Sequence, residues 1–178
     1  MALTAPTASG EWTVGTASIT FSGDGWTYNA YDDAMYVADT FAVASWPMSY
    51  QLALNGSVDN PGAAIGLFDN AEIGTFNHQN NSGGLSVMTA CWRFRPSDGV
   101  LWYGATTVAT LGARSINDIL KFIVDADGTV RFFINEVLRH TFAQSATGKT
   151  LRLMSACSNT TSYDGCKWVT NIPGNSFT

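Results

Sequence analysis

At 178 residues the chain is long enough to bury about 70% of its unfolded surface as one domain, so no metal or disulfide is required to hold a core. Hydrophobic residues make up 46% and charged residues only 13%, a balance that excludes intrinsic disorder. A net charge of −5 with nine basic residues, none of them clustered, argues against nucleic acid as a partner.

Residues 1–11, rich in Ala and Thr, read as an N-terminal arm, and 12–178 read as a single domain. The arm lacks the basic and apolar regions of a secretory signal, and the chain holds no apolar run long enough to span a membrane. The expectation is a protein made in a cytoplasm that stays there or leaves by a route other than general secretion. Asn-x-Ser/Thr triplets at Asn55, Asn80 and Asn159 then read as chance matches.

Turn formers recur along the chain every eight to twelve residues or so, separating short runs of β-branched and aromatic residues, which is the pattern of a sandwich or barrel. Asp32-Asp33 reads as a polar loop. From Met48 to Leu54 the alternation is clean: Met48, Tyr50, Leu52 and Leu54 share one side. Ala63 to Phe68 reads as a buried strand. Leu85 to Phe94 reads as one long strand whose apolar side switches at Thr89-Ala90 through a bulge. Arg93 and Arg95 fall on one side of it and read as a solvated strand face. Ser115 to Ile119 is the single helical stretch expected, a short turn capped by Ser115.

Leu120 to Ile134 has two apolar strands around Asp127-Gly128, which supplies the positive φ angles of a tight hairpin. A second turn at Asn135-Glu136 leads into Val137 to Phe142, and Leu151 to Cys157 and Cys166 to Ile172 complete ten to thirteen expected strands. Cys91, Cys157 and Cys166 are odd in number. Cys157 and Cys166 lie where two strand ends could bridge, but three buried reduced thiols fit better.

The stretch from Leu120 to Phe142 resembles the late hairpin of concanavalin A-like and SPRY-like domains, in which an apolar strand, an Asp-Gly turn, a Phe-rich strand and an Asn-Gly turn follow one another. Tyr50 to Leu54 followed by Ala64-Ile65-Gly66-Leu67-Phe68 resembles the paired strands of the same families. Together these cover about a third of the chain. The resemblance implies an all-β, two-sheet antiparallel β-sandwich of jelly-roll, concanavalin A-like form. Glu136 departs from the pattern, which has Gly there; either the turn is of another type or Asn135 alone takes the left-handed conformation.

The resemblance imports no site. The acidic metal cluster of legume-type lectins does not align here. The related glucanases carry Glu-x-Asp-x-x-Glu, and the nearest string, Glu72 to Phe76, lacks the acidic partners. Glu11 borders the arm and Glu136 sits in a turn, while most of the aspartates lie in turns. Asp125 and Asp127 fit a turn better than a calcium loop. His78 and His140 have no nucleophile at a recognisable spacing. No catalytic residue, metal ligand or cofactor is expected.

Aromatic residues, 12% of the chain, are the remaining signal. Alternation means that Trp102 and Tyr103 cannot both point inward, and Cys91 and Trp92 pose the same choice. Trp92, Trp102 and Tyr103, with Asn77 and His78 from the polar loop at 77–82, are therefore the expected ligand-binding residues. The functional expectation is a non-enzymatic surface protein of a phage virion, a capsid decoration or tail adhesin that presents a lectin-like module. Its arm at 1–11 would contact virion proteins or sister subunits in a homo-oligomer, and its sandwich would contact surface glycans. The alternatives are a free carbohydrate-binding lectin, a SPRY-like protein-interaction domain and a glycan hydrolase.

Overall fold

The computed structural model describes residues 12–14, 19–22, 25–28, 33–37, 41–43, 48–56, 64–76, 88–157 and 161–170, with side chains at 27, 36, 42–43, 48–54, 64–76 and 88–156. The arm at 1–11, the loop carrying Asn77 and His78, and the side chains of Cys157 and Cys166 lie outside the described residues.

Two antiparallel sheets form the expected all-β sandwich. The first runs in the order β1 (Trp12–Val14), β4 (Asp33–Val37), β14 (Thr150–Cys157), β7 (Ala64–Asp69), β8 (Cys91–Arg95), β9 (Val100–Tyr103) and β10 (Thr106–Thr110). The short β5 (Phe41–Ala42) also pairs with β14, which makes this sheet eight-stranded. The second runs β13 (Val137–Thr141), β12 (Val130–Ile134), β11 (Ile119–Val124), β6 (Met48–Gly56), β15 (Thr161–Thr170), β3 (Gly25–Tyr28) and β2 (Ile19–Ser22). The described residues thus hold 15 strands, more than the pattern of apolar runs gave, because strands as short as β5 and β1 leave no periodic signal.

The pleat of β6 places Met48, Tyr50, Leu52 and Leu54 in the core, as their alternation predicts. Facing them across the sandwich are Ile65, Leu67, Trp92, Phe94, Leu101, Leu151 and Leu153. Phe94 of one sheet meets Phe132 of the other at 4.5 Å between ring centroids, and Phe132 meets Phe122 at 4.8 Å. Such interleaving of two inner faces is what holds aligned sheets together. The Tyr50 hydroxyl donates to Met154 O across the sandwich (3.4 Å), satisfying a polar tip buried among apolar groups.

Several local expectations need correction. Of the strand expected from Leu85, residues 85–87 lie outside the described residues, and Met88 to Ala90 form a bend ahead of β8 instead of a bulged strand, for a reason given below. The Asp127-Gly128 turn is wider than a two-residue hairpin: Asp125 N–H donates to Thr129 O, and only Gly128 has positive φ (86°). At the next turn Asn135 (φ 51°) and Glu136 (φ 64°) are both left-handed, so neither alternative drawn from the sequence holds. That conformation costs a non-glycine residue about 1 kcal/mol. It is offset where Asn135 Oδ1 accepts from Ile119 N, Asn135 Nδ2 donates to Asp118 Oδ1, and Glu136 pairs with Lys121. Around Ser115 the chain makes a turn with no helix, and Asp118 does the capping, its carboxylate accepting Ser115 N–H at 2.9 Å. The helical element among the described residues is a 3-10 helix, η1 (Asn70–Thr75).

Gly66 marks the closest approach of β7 to β8. A Cβ there would stand 2.1 Å from Trp92 O and 2.8 Å from Arg93 Cα, both backbone atoms of a central strand. Gly66→Ala should destabilise the fold by about 2 kcal/mol or more, since overpacking against backbone cannot relax by side-chain rotation. Thermal unfolding would check this; an unchanged midpoint would contradict the close approach.

Candidate functional site

Register decides which residues of the eight-stranded sheet look away from the core. Trp92 pairs with Tyr103 and Phe94 with Leu101, and these point inward. The intervening residues therefore form a row on the outer face, in which Tyr36, Met154, Gly66, Arg93, Trp102 and Thr107 are consecutive cross-strand neighbours. At the β4–β14–β7 end, an apolar cluster of Phe68, Phe76, Met88, Cys91 and Met154 with Tyr36 and Ile73 fills the outer face beneath η1. At the β8–β9 end the same face carries arginine and tryptophan.

Arg93 and Arg95 both lie over the Trp102 ring, their guanidinium carbons 5.0 and 5.6 Å from its centroid. Each such contact contributes about 0.5–2 kcal/mol, more as water is excluded. Arg95 is also held by a two-point ion pair with Asp98, Nε to Oδ1 at 3.0 Å and Nη2 to Oδ2 at 2.5 Å. Burial opposes ionisation of Asp98, but Arg95 and the Val100 N–H overcome it and hold the carboxyl below its usual range.

Arg93 is different. It is only 6% exposed, against the solvated face expected, and no described carboxylate pairs with it. Its Nη2 donates to Gly104 O (3.2 Å) and its buried Nε has no partner. Burial pulls its pKa below the ordinary guanidinium value, the Cys91 thiol works the other way, and Arg95 adds to the fall. A buried cation whose compensation is one carbonyl and one indole face is an unusual arrangement.

Other acids with described side chains are committed elsewhere. Glu72 of η1 accepts from Thr89 N (2.7 Å), Ala90 N (2.7 Å) and the Thr89 hydroxyl, which bends Met88 to Ala90 out of the strand and seals the apolar cluster. Asp69 holds Lys149 Nζ at 2.8 Å, Asp125 holds Arg131, Asp127 accepts Thr129 N–H and Asp118 braces its own turn. No group of three His, Cys, Asp or Glu suited to a metal occurs among the described residues.

Of the residues expected to bind ligand, Trp92 has no exposed surface: it packs on Tyr103 (5.2 Å) and donates Nε1–H to Gln144 O (3.0 Å). Cys91 is buried too, so the choice posed for that pair resolves with both covered, one in each apolar cluster. Trp102 and Tyr103 do point to opposite faces and both keep partial exposure, Trp102 on the outer one. Sequence reasoning missed Arg93 and Arg95 as site residues. Counting back from the turn at Pro96 to Gly99 pairs Arg95 with Val100 and Arg93 with Trp102, and this was the available signal.

Burial pushes the Cys91 thiol up from 9.0 to about 12, with Arg93 opposing and Glu72 assisting. The folded chain holds this proton more tightly than the unfolded chain. The contribution is therefore complete below about pH 9 and is lost as pH rises toward 12. Compared with Cys91→Ala, the native chain should lose more stability between these pH values, read from unfolding midpoints. Equal alkaline losses would contradict a thiol kept protonated by burial. Glu72→Ala should speed hydrogen exchange at the Thr89 and Ala90 amides by tenfold or more, about the worth of a charge-assisted hydrogen bond.

No family model matches the chain, and no curated protein matches it in sequence. Solved structures do match in fold. The metal-free carbohydrate recognition domain of Emp46p superposes with a TM-score of 0.64 at 8% identity, over 89% of this chain and 87% of that one. The SPRY domain of human HERC1 gives 0.57 at 16% identity, over 82% and 87% of the two chains. The carbohydrate-binding module CBM66 from Bacillus subtilis gives 0.57 at 10% identity, over 89% and 94%. The sandwich fold is therefore that of SPRY domains and lectin-like modules.

Proposed function

We propose that this chain is a non-catalytic recognition module that binds glycans on the outer face of its eight-stranded sheet, at β8–β9. Trp102 carries the reading. It is a partly exposed indole, fixed by two guanidinium groups at 5.0 and 5.6 Å on a rigid sheet, so it loses little conformational freedom when a sugar ring stacks on it. The carbohydrate-binding titles of two of the fold's neighbours support glycans as the ligand class, although a fold alone assigns none. The engagement of the described carboxylates in caps and ion pairs supports binding without turnover.

The setting we propose is the surface of a phage virion, where the module serves as a capsid decoration or tail adhesin and residues 1–11 join it to virion proteins or sister subunits. The charge-poor composition and the small-residue arm support this setting. A protein ligand of the SPRY kind is the second reading, favoured by Ile116, Val137 and Leu138, each about half exposed on the β11–β13 side of the molecule.

A glycan array probed with the full chain and with Trp102→Ala tests the main reading. Saturable binding that falls at least tenfold in the variant, without loss of the folded far-ultraviolet spectrum, is the expected result. Binding that survives the substitution moves the site elsewhere, and polysaccharide turnover overturns the non-catalytic assignment. Deleting residues 1–11 should reduce a multimer to monomers in size-exclusion chromatography; identical monomers before and after would remove the arm from any assembly role.

A further inference from the structure

We infer that Arg93, Arg95 and Trp102 form a subsite for a carboxylate carried on a sugar ring, so that the glycan recognised here is an acidic one of the uronic type. The inference rests on the reading of this chain as a glycan-recognition module and adds the charge of its ligand.

The argument starts from a deficit. A guanidinium taken out of water needs acceptors for its five N–H bonds, and Arg93 has one carbonyl, Gly104 O, with Nε left unpaired and no carboxylate partner among the described residues. Buried polar groups without partners are rare enough in native proteins that each asks for an explanation, an ion or ligand among them. Arg95 adds a second cation on the same indole, and Asp98 offsets that charge alone. Counted over the described residues, Arg93 and Arg95 against Asp98, the cluster therefore carries a net charge of about +1 on a chain whose total is −5.

Size and sign of that charge select the ligand. One uncompensated cation matches a monoanion, and a planar carboxylate fits guanidinium donors in two-point geometry. A phosphate monoester would bring about two negative charges and leave one unanswered. The aromatic neighbour narrows the choice further. In a uronic acid the carboxylate is attached directly to the ring, so charge and apolar C–H face lie within one rigid unit. That spacing matches arginine and tryptophan side by side on adjacent strands. An aspartate or glutamate in a peptide presents its carboxylate on a flexible stem, with no ring for Trp102.

Calorimetric titration of the full chain tests this with tetrasaccharides of galacturonate, glucuronate and mannuronate, each beside its methyl ester, and with a hexaglutamate peptide. The ester keeps the ring and removes the charge. At least one acid form should bind about tenfold or more tightly than its ester, the worth of a charge-assisted hydrogen bond, and weaken as salt is raised. Arg95→Gln and Arg93→Met should each erase the preference for the acid, whereas Trp102→Ala should weaken acid and ester together. Should Arg93→Met fail to fold, Arg95→Gln together with the Trp102 indole N–H resonance, shifted by the acid at about tenfold lower concentration than by the ester, decides the matter. Equal affinity for acid and ester would overturn the carboxylate subsite while leaving glycan recognition standing. Preference for hexaglutamate over every sugar, or no binding of any acid, would overturn the inference as well.

Discussion

Everything in this molecule hangs on the aromatic layer between the sheets. Phe94 against Phe132 joins the two sheets across the sandwich, and Phe132 against Phe122 extends the layer along the seven-stranded sheet, both at ring separations below 5 Å. Because successive residues of a strand point to opposite faces, fixing Phe94 inward fixes Arg93 and Arg95 outward. A one-residue slip of β8 would drive both arginines into the core and expose Trp92 and Phe94. The cost of that slip is what keeps the Arg93, Arg95 and Trp102 face in place. Core and site are thus one decision, taken by the pleat.

The eight-stranded sheet is covered on both faces over its middle strands, an uncommon state for an antiparallel sheet. Phe68, Cys91 and Met154 face away from the sandwich and still find apolar company beneath η1. Glu72 makes this possible by binding two backbone N–H groups of the bend that closes the cluster. Toward β9 the cover gives way, and the same row of positions changes from methionine and glycine to arginine and tryptophan. The boundary between apolar and polar runs along this row, and Arg93 stands on it.

How much of this was readable beforehand differs from element to element. Met48 to Leu54 declared its face because one side of β6 is apolar and the other is not. β7 was read as buried, and it is, although its short apolar run carries no information about how many faces are covered. The bend at Met88 to Ala90 was read as a bulge, since the force that makes it comes from Glu72, 17 residues away in the chain. Arg93 misled for a physical reason. Arginine is seldom buried without an acid, so a strand bearing Arg93 and Arg95 reads as wet until the hairpin register is counted. Glu136 misled in the same way: local preference disfavours its left-handed backbone, and a pairing with Lys121 from the neighbouring strand offsets part of that cost.

The order of strands has a consequence for how the chain is made. β14 is sandwiched between β4 and β7, and β15 lies between β6 and β3, so late segments occupy the middle of both sheets. During synthesis the early strands emerge with open edges on the side where their later partners will insert. Neither layer can close until residues 150–170 have left the ribosome. Contacts between such distant parts of a chain form slowly, and unpaired edges attract other chains while they wait. A molecule built this way gains its native shape only once β14 and β15 have emerged, and its yield in cells will depend on what shields those edges in the interval.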